Sequence, residues 1–168
     1  MEYGLLLLRL VVGLAFAAHG TQKLFGWFGG GGLTGTAHYF ASLGYRAPAV
    51  MALSIGLCEL GGGLLFATGL ATPLAAIALA TVVLNAIVTV KWPLGFFAGY
   101  QLELAYLTVV IAVVATGPGR LSLDRAIGWD DNITGTAWAS VALVGAIVIT
   151  ILTTTLGRAR PDTGEMGA

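Results

Sequence analysis

The sequence predicts an all-α integral membrane bundle of four or five transmembrane helices, and three observations carry that prediction. Of 168 residues, 57% are hydrophobic and only 10% are charged, where a soluble domain holds roughly 25% charged residues. So few charges cannot cover a water-facing surface, which makes lipid the solvent for most of the chain. The apolar residues also fall into five blocks, each near the length of about 20 residues that a helix needs to cross a bilayer.

The first block covers 4–27. Ala15-Phe16-Ala17 resembles a signal-peptidase site, but no Lys or Arg precedes Arg9, so the block reads as a retained membrane helix. Residues 28–48 open with Gly29 to Gly32. There Ala37, Phe40 and Leu43, with Tyr39 nearby, give a short amphipathic helix over 33–44 on the surface. The second block is 49–69 and the third 71–91. The link Gly-Leu-Ala-Thr-Pro (69–73) makes them antiparallel neighbours and puts Pro73 in a first helical turn. The aromatic, glycine-rich link 92–100 suits a membrane interface and leads into the fourth block, 101–117. Residues 118–135 hold Arg120, Asp124, Arg125, Asp130 and Asp131 and form the most water-soluble stretch. The fifth block, 136–156, carries no charge; it is expected to face lipid or a partner and to take no part in chemistry. The tail 158–168 is expected to be disordered.

Ionisable side chains inside a membrane cost about 2.5–3.5 kcal/mol each at its centre, and they persist when they pair or serve a function. Let side A be the side of the N-terminus and side B the other. His19 and Lys23 fall near the B end of the first helix. Glu59 lies near mid-membrane in the second, Asn85 toward B in the third, and Glu103 in the first turn of the fourth. Four helices thus deliver polar groups to one zone. Facing agrees: His19 and Lys23 share a stripe, as do Thr81, Asn85 and Thr89. Gly61, Gly62 and Gly63 beside Glu59 invite close helix approach. Glu59, Glu103 and His19 are the candidate catalytic residues, and Lys23, Asn85 and His38 the candidate ligand-binding residues. His38, in the surface helix, would close the site as a lid. Lys91 is expected to snorkel to headgroups, and Arg9 to reach those of side A. The competing reading is an ion-pair network that only holds the helices in register.

Several classes are excluded or made remote. The net charge is zero and no basic tract could neutralise a phosphate backbone, so nucleic acid is not a partner. Cys58 is the lone cysteine and reads as a small core hydrophobe. No metal-ligand spacing occurs. His19 and His38 are the only histidines, so even one bis-histidine haem would need His38 inside the membrane. No covalent cofactor is expected.

The stretch Arg9-Leu-Val-Val-Gly-Leu-Ala-Phe-Ala-Ala-His-Gly-Thr-Gln-Lys-Leu-Phe-Gly-Trp-Phe-Gly-Gly (9–30) resembles the opening signature of the DoxX family. So do residues 32–44, Glu59-Leu-Gly-Gly-Gly-Leu-Leu, Gly69-Leu-Ala-Thr-Pro-Leu-Ala-Ala, Gly95-Phe-Phe and Gly117-Pro-Gly-Arg-Leu-Ser-Leu-Asp-Arg. The resemblance implies a four-helix DoxX-like membrane domain over 1–128. Residues 129–157 then supply a linker and an additional fifth helix, a departure from the family pattern. Relatives include the small membrane subunit of a thiosulfate:quinone oxidoreductase and the membrane piece of a mycobacterial oxidoreductase complex. That complex also contains a superoxide dismutase and a sulfurtransferase and is linked to oxidative and thiol stress. The resemblance therefore implies soluble redox partners of those kinds, and a natural site at His19, Lys23 and Glu59.

Three functions compete. A redox subunit would bind a quinone, with Lys23 or His19 on a carbonyl and Glu59 or Glu103 handling protons; it requires an apolar cavity beside them. A proton-coupled transporter requires a polar route onward to side A. A membrane anchor for soluble enzymes requires a closed cluster with every polar group satisfied. Self-association into a homo-oligomer is left open. Positive residues tie between the two sides, and by resemblance side A faces the cytoplasm of a bacterium, the protein being multi-pass in its inner membrane.

Overall fold

The computed structural model describes residues 2–159. Five helices among them are long and apolar enough to cross a membrane: Glu2–Phe25, Pro48–Thr68, Thr72–Leu94, Phe96–Thr116 and Thr136–Thr155. They form an all-α membrane bundle, and leucines, valines and isoleucines that face outward, such as Leu7, Val11, Leu57, Leu74, Val144 and Ile151, meet lipid. Inside lie Val12, Phe16, Phe66, Leu79, Val83, Val110 and Val113.

Helix α1 (Glu2–Phe25) and helix α3 (Pro48–Thr68) form the closest pair, because glycine lines their crossing. A Cβ on Gly63 would meet the Gly13 carbonyl at 2.5 Å and the Ala17 nitrogen at 2.6 Å. One on Gly20 would strike the Leu60 backbone. Between α1 and α3 runs α2 (Gly32–Ser42), the expected surface helix. Phe40 is its one buried side chain and packs edge-on against Tyr45 with centroids 5.3 Å apart.

Helix α3 ends at Thr68. Gly69 takes the left-handed φ of 64°, and Leu70 N–H reaches back to Leu65 O at 2.9 Å. Helix α4 (Thr72–Ala86) follows, with Pro73 in its first turn. The turn is locked from outside. Ala71, a non-glycine at φ 48°, donates N–H to Asp124 Oδ1 (2.7 Å); Thr72 N–H and Oγ1–H go to Asp124 Oδ2 (3.0 and 2.5 Å). Asp124 is fully buried. The stretch expected to be the most soluble thus spends its central acid on the cap of a membrane helix, because the open N–H groups of α4 attract a carboxylate. Asp124→Ala is expected to cost about 1.5–3 kcal/mol, the scale for hydrogen bonds to a charged group; thermal unfolding in detergent measures it, and an unchanged midpoint would contradict the capping role.

The link at 92–100 is helical rather than a loop. Helix α4 widens into a π turn (Ile87–Lys91) and a 3₁₀ turn (Trp92–Leu94). Gly95, at φ 76°, reverses the chain into a second π turn (Phe96–Tyr100) that runs into α5 (Gln101–Thr116). Trp92 stacks on Tyr100 at 5.4 Å and 10°. Gly99 is required where the hairpin crosses, since a Cβ there would strike the Lys91 carbonyl.

A short α6 (Leu123–Ala126) carries Asp124, and α7 (Thr136–Thr155) closes the bundle. The expectation that the fifth helix would only face lipid or a partner is corrected. Ala139, Ala142 and Ala146 are buried, and small residues let α7 lie close along α4. Of the tail expected to be disordered, residues 160–168 lie outside the described residues. Arg158 and Ala159 are tied to the α2–α3 loop: Arg158 Nε–H donates to Leu43 O (3.0 Å) and Ala159 N–H to Gly44 O (2.8 Å). The Arg158 guanidinium lies 5.8 Å over the Tyr45 ring. Burial pushes the Tyr45 phenol above its ordinary pKa, against the opposing pull of Arg158.

Candidate functional site

The site grows from the glycine crossing. With no side chains between α1 and α3, the polar stripe of α1 comes directly against Glu59. Lys23 Nζ donates to both Glu59 carboxylate oxygens at 2.6 Å. Glu59 is 4% exposed, so its charge persists only through this bidentate contact. The Lys23 backbone is held in turn by Thr36, whose hydroxyl donates to Lys23 O at 3.2 Å.

The irregular hairpin supplies a second pair. Lys91 Nζ stands 3.5 Å from Glu103 Oε1. Lys91 therefore does not simply snorkel to headgroups: the π turn carries it past the end of the regular helix and the hairpin returns Glu103 to face it. The other Glu103 oxygen, Oε2, is buried and has no hydrogen-bond partner among the described residues.

The two pairs frame a cavity of about 370 Å³. His19, Lys23, Glu59, Lys91 and Glu103 all line it, with apolar walls from Phe16, Val82, Val83, Leu102 and Tyr106. Its size falls inside the range of about 300–1,000 Å³ that holds small ligands. His19 stands exposed at the edge, its Nδ1 3.0 Å from Gln22 Oε1. On the other side of the Lys23–Glu59 pair lies a smaller cavity of about 150 Å³, lined by Tyr39, Phe40, Asn85 and Thr89 among others. The two cavities share Lys23, Glu59, Val82, Ala86 and Lys91 as lining. Among the described residues no group of three or more His, Cys, Asp and Glu side chains is placed to hold a metal ion.

Two candidates stand apart. Asn85 borders the smaller cavity, but its amide is committed to α7. Its Nδ2–H groups go to Thr81 O (3.0 Å) and Thr150 Oγ1 (3.2 Å), and its Oδ1 accepts from Thr153 (2.9 Å). His38 is exposed on α2 and lines neither cavity; α2 instead turns Tyr39 and Phe40 toward the smaller one. The missed members are Lys91 and the aromatic pair Phe16–Tyr106, whose rings meet edge-on at 5.3 Å. The shortness of the 92–100 link was the available signal for Lys91, since a tight hairpin must bring 91 and 103 close.

Arg9 departs furthest from expectation. It does not reach side A headgroups but is fully buried. Its guanidinium donates to the carbonyls of Pro118 and Leu121 (the latter 2.5 Å), because the loop after α5 folds over it.

A family model described as DoxX matches residues 4–92, just over half of the chain. A protein of Bacillus subtilis (strain 168) named "Putative oxidoreductase CatD" is 36% identical over 123 residues, covering 73% of this chain and 86% of that protein. No solved structure matches. The family match takes in His19, Lys23, Glu59, Asn85 and Lys91 and ends before Glu103.

Proposed function

The chain belongs to the DoxX family, and from that premise we propose that it is the membrane subunit of a redox system that takes a quinone-class ring into the larger cavity. The observation that carries this reading is the meeting of two lysines, two glutamates and a histidine around an apolar-walled space of about 370 Å³. A quinone suits that donor set. Its ring matches the walls of Phe16, Val82 and Tyr106, and its carbonyl oxygens need donors, which Lys23 and Lys91 provide. The bound ring would supply two-electron, two-proton redox chemistry, with electrons coming from a soluble oxidoreductase of the kind that accompanies family members. The chain's own residues would orient the ring and hand it protons: Glu103, whose Oε2 lacks a partner among the described residues, in its protonated form would donate a hydrogen bond to a ring carbonyl and give up that proton as the ring is reduced. Glu59 stays paired and fixes the Lys23 ammonium.

The name of the Bacillus relative supports a redox role, and its source supports a bacterial cytoplasmic membrane. The anchor reading needs every polar group satisfied, which Glu103 Oε2 and Thr81 Oγ1 are not. The transporter reading needs a polar path to side A, where Val12, Phe66 and Leu79 fill the space. The test is thermal unfolding of the detergent-purified protein with and without a menaquinone analogue. A ligand that binds only the folded state at 100 times its Kd adds about 2.7 kcal/mol. The midpoint is expected to rise in the parent and to be unmoved by the analogue in Lys23→Met and Glu59→Gln; a parent that does not shift overturns the proposal.

A further inference from the structure

A second site lies on the opposite side of the bundle, far from the quinone cavity. Near the A end a groove of about 570 Å³ follows the outer seam of α1 and α3. Leu6, Leu10 and Leu14 form one wall at successive helical turns and Leu64 the other, so the groove runs about 12 Å into the membrane at 1.5 Å per residue. Its outer faces are lipid-exposed: Leu14 is 52% and Leu64 47% accessible. Arg9 forms the floor and Arg120 stands exposed at the mouth.

The charges at this end point to an anion. Arg9 is fully buried, yet its hydrogen bonds go to two neutral carbonyls and it has no carboxylate within ion-pair distance among the described residues. Its Nε–H has no hydrogen-bond partner among the described residues. The acids nearest in charge, Asp124 and Glu2, are otherwise occupied: Asp124 caps α4, and Glu2 Oε2 accepts the Arg120 backbone N–H at 2.5 Å. Arg120 likewise has no ion-pair partner among the described residues, whereas neighbouring Arg125 is held by Asp130 and Asp131. A buried cation with no direct ion pair of its own favours a further anion nearby, and basic pockets between transmembrane helices are where anionic lipid headgroups settle.

We propose that this groove is a binding site for one anionic phospholipid, its acyl chain lying along Leu6, Leu10, Leu14 and Leu64 and its phosphate at Arg120, with the buried charge of Arg9 acting from beneath. The Arg120 side chain is exposed, so its replacement leaves the bundle intact and tests the site cleanly. The protein is purified in detergent, and mixed phosphatidylglycerol and phosphatidylcholine are added in equal amounts. Lipid retained on it is then read by native mass spectrometry, alongside thermal unfolding with each lipid alone. The parent is expected to retain phosphatidylglycerol at least fivefold over phosphatidylcholine and to melt higher with it. Arg120→Gln is expected to lose that preference while keeping the lipid-free melting point. Leu14→Trp, which fills the groove but keeps both cations, is expected to lose retention as well. Equal retention of the two lipids by the parent overturns the proposal. So does a preference that survives in Arg120→Gln, which would place the anion elsewhere on the surface.

Discussion

Alanine in place of Gly63 is expected to be among the most damaging single-methyl changes in the bundle, costing about 3 kcal/mol, the upper end for overpacking, or preventing assembly. The new Cβ would sit 2.5 Å from the Gly13 carbonyl and 2.6 Å from the Ala17 nitrogen. Both are backbone atoms of a helix that cannot rotate away, so α1 and α3 would have to part. Separation there would pull Lys23 from Glu59, about one turn of α3 away. Two neighbours serve as internal comparisons. Gly62→Ala meets the Ala78 Cβ at 3.1 Å and is expected to cost less, because that contact is with a side chain. Gly61→Ala meets nothing within 4 Å and is expected to be neutral or to stabilise by about 0.5–1 kcal/mol, since alanine favours helix over glycine. Thermal unfolding of the three variants should rank them 61, 62, 63 from most to least stable. Gly63→Ala melting with the parent would show that the crossing is not close-packed.

Breaking the central ion pair from one side should be the second large effect. Lys23→Met strips the Glu59 carboxyl of its partner at 4% exposure, and half-broken buried pairs cost about 3–5 kcal/mol. The Lys23 side chain is 30% exposed, so the lower end applies. Glu59→Gln is expected to cost less, because Lys23 can turn its head toward the cavity. The double variant Lys23→Met/Glu59→Leu should regain most of the loss, since an apolar pair fits a site walled by Ile55 and Val82. A double variant no more stable than Lys23→Met would mean that the two residues act independently, against the bidentate geometry.

How much of this was legible in the sequence depends on the kind of signal. The five spans were, because twenty-residue apolar blocks have few other uses. The gathering of His19, Lys23, Glu59 and Glu103 in one zone was also legible, since depth along antiparallel helices is simple arithmetic and Gly61 to Gly63 announced a close approach; the direct pairing of Lys23 with Glu59 was not. Irregular backbone was not legible: nothing in 87–100 spells out a π turn, so Lys91 looked like a residue at a helix end rather than half of a second pair. Nor were loop placements. Arg9 and Asp124 are both buried because the chain after α5 folds back over the A end, a long-range event that local composition cannot encode; Asp124 counted as soluble only because it keeps company with other charges. The polar residues of α7 failed differently. Thr150 and Thr153 looked like lipid-tolerant β-branched filler, and only the register of α7 against α4 shows that they hold the Asn85 amide.

The Phe16–Tyr106 contact has a consequence for access. Helices α1 and α5 touch sparingly, and these two rings meet where both helices line the cavity of about 370 Å³. An edge-on aromatic pair is worth only about 0.5–1.5 kcal/mol beyond its buried area, and ring rotations need no helix to move. On the quinone reading, this seam is the sideways entrance from oil. On that reading a hydrophobic ring already dissolved in the bilayer reaches the lysines and glutamates without passing through water.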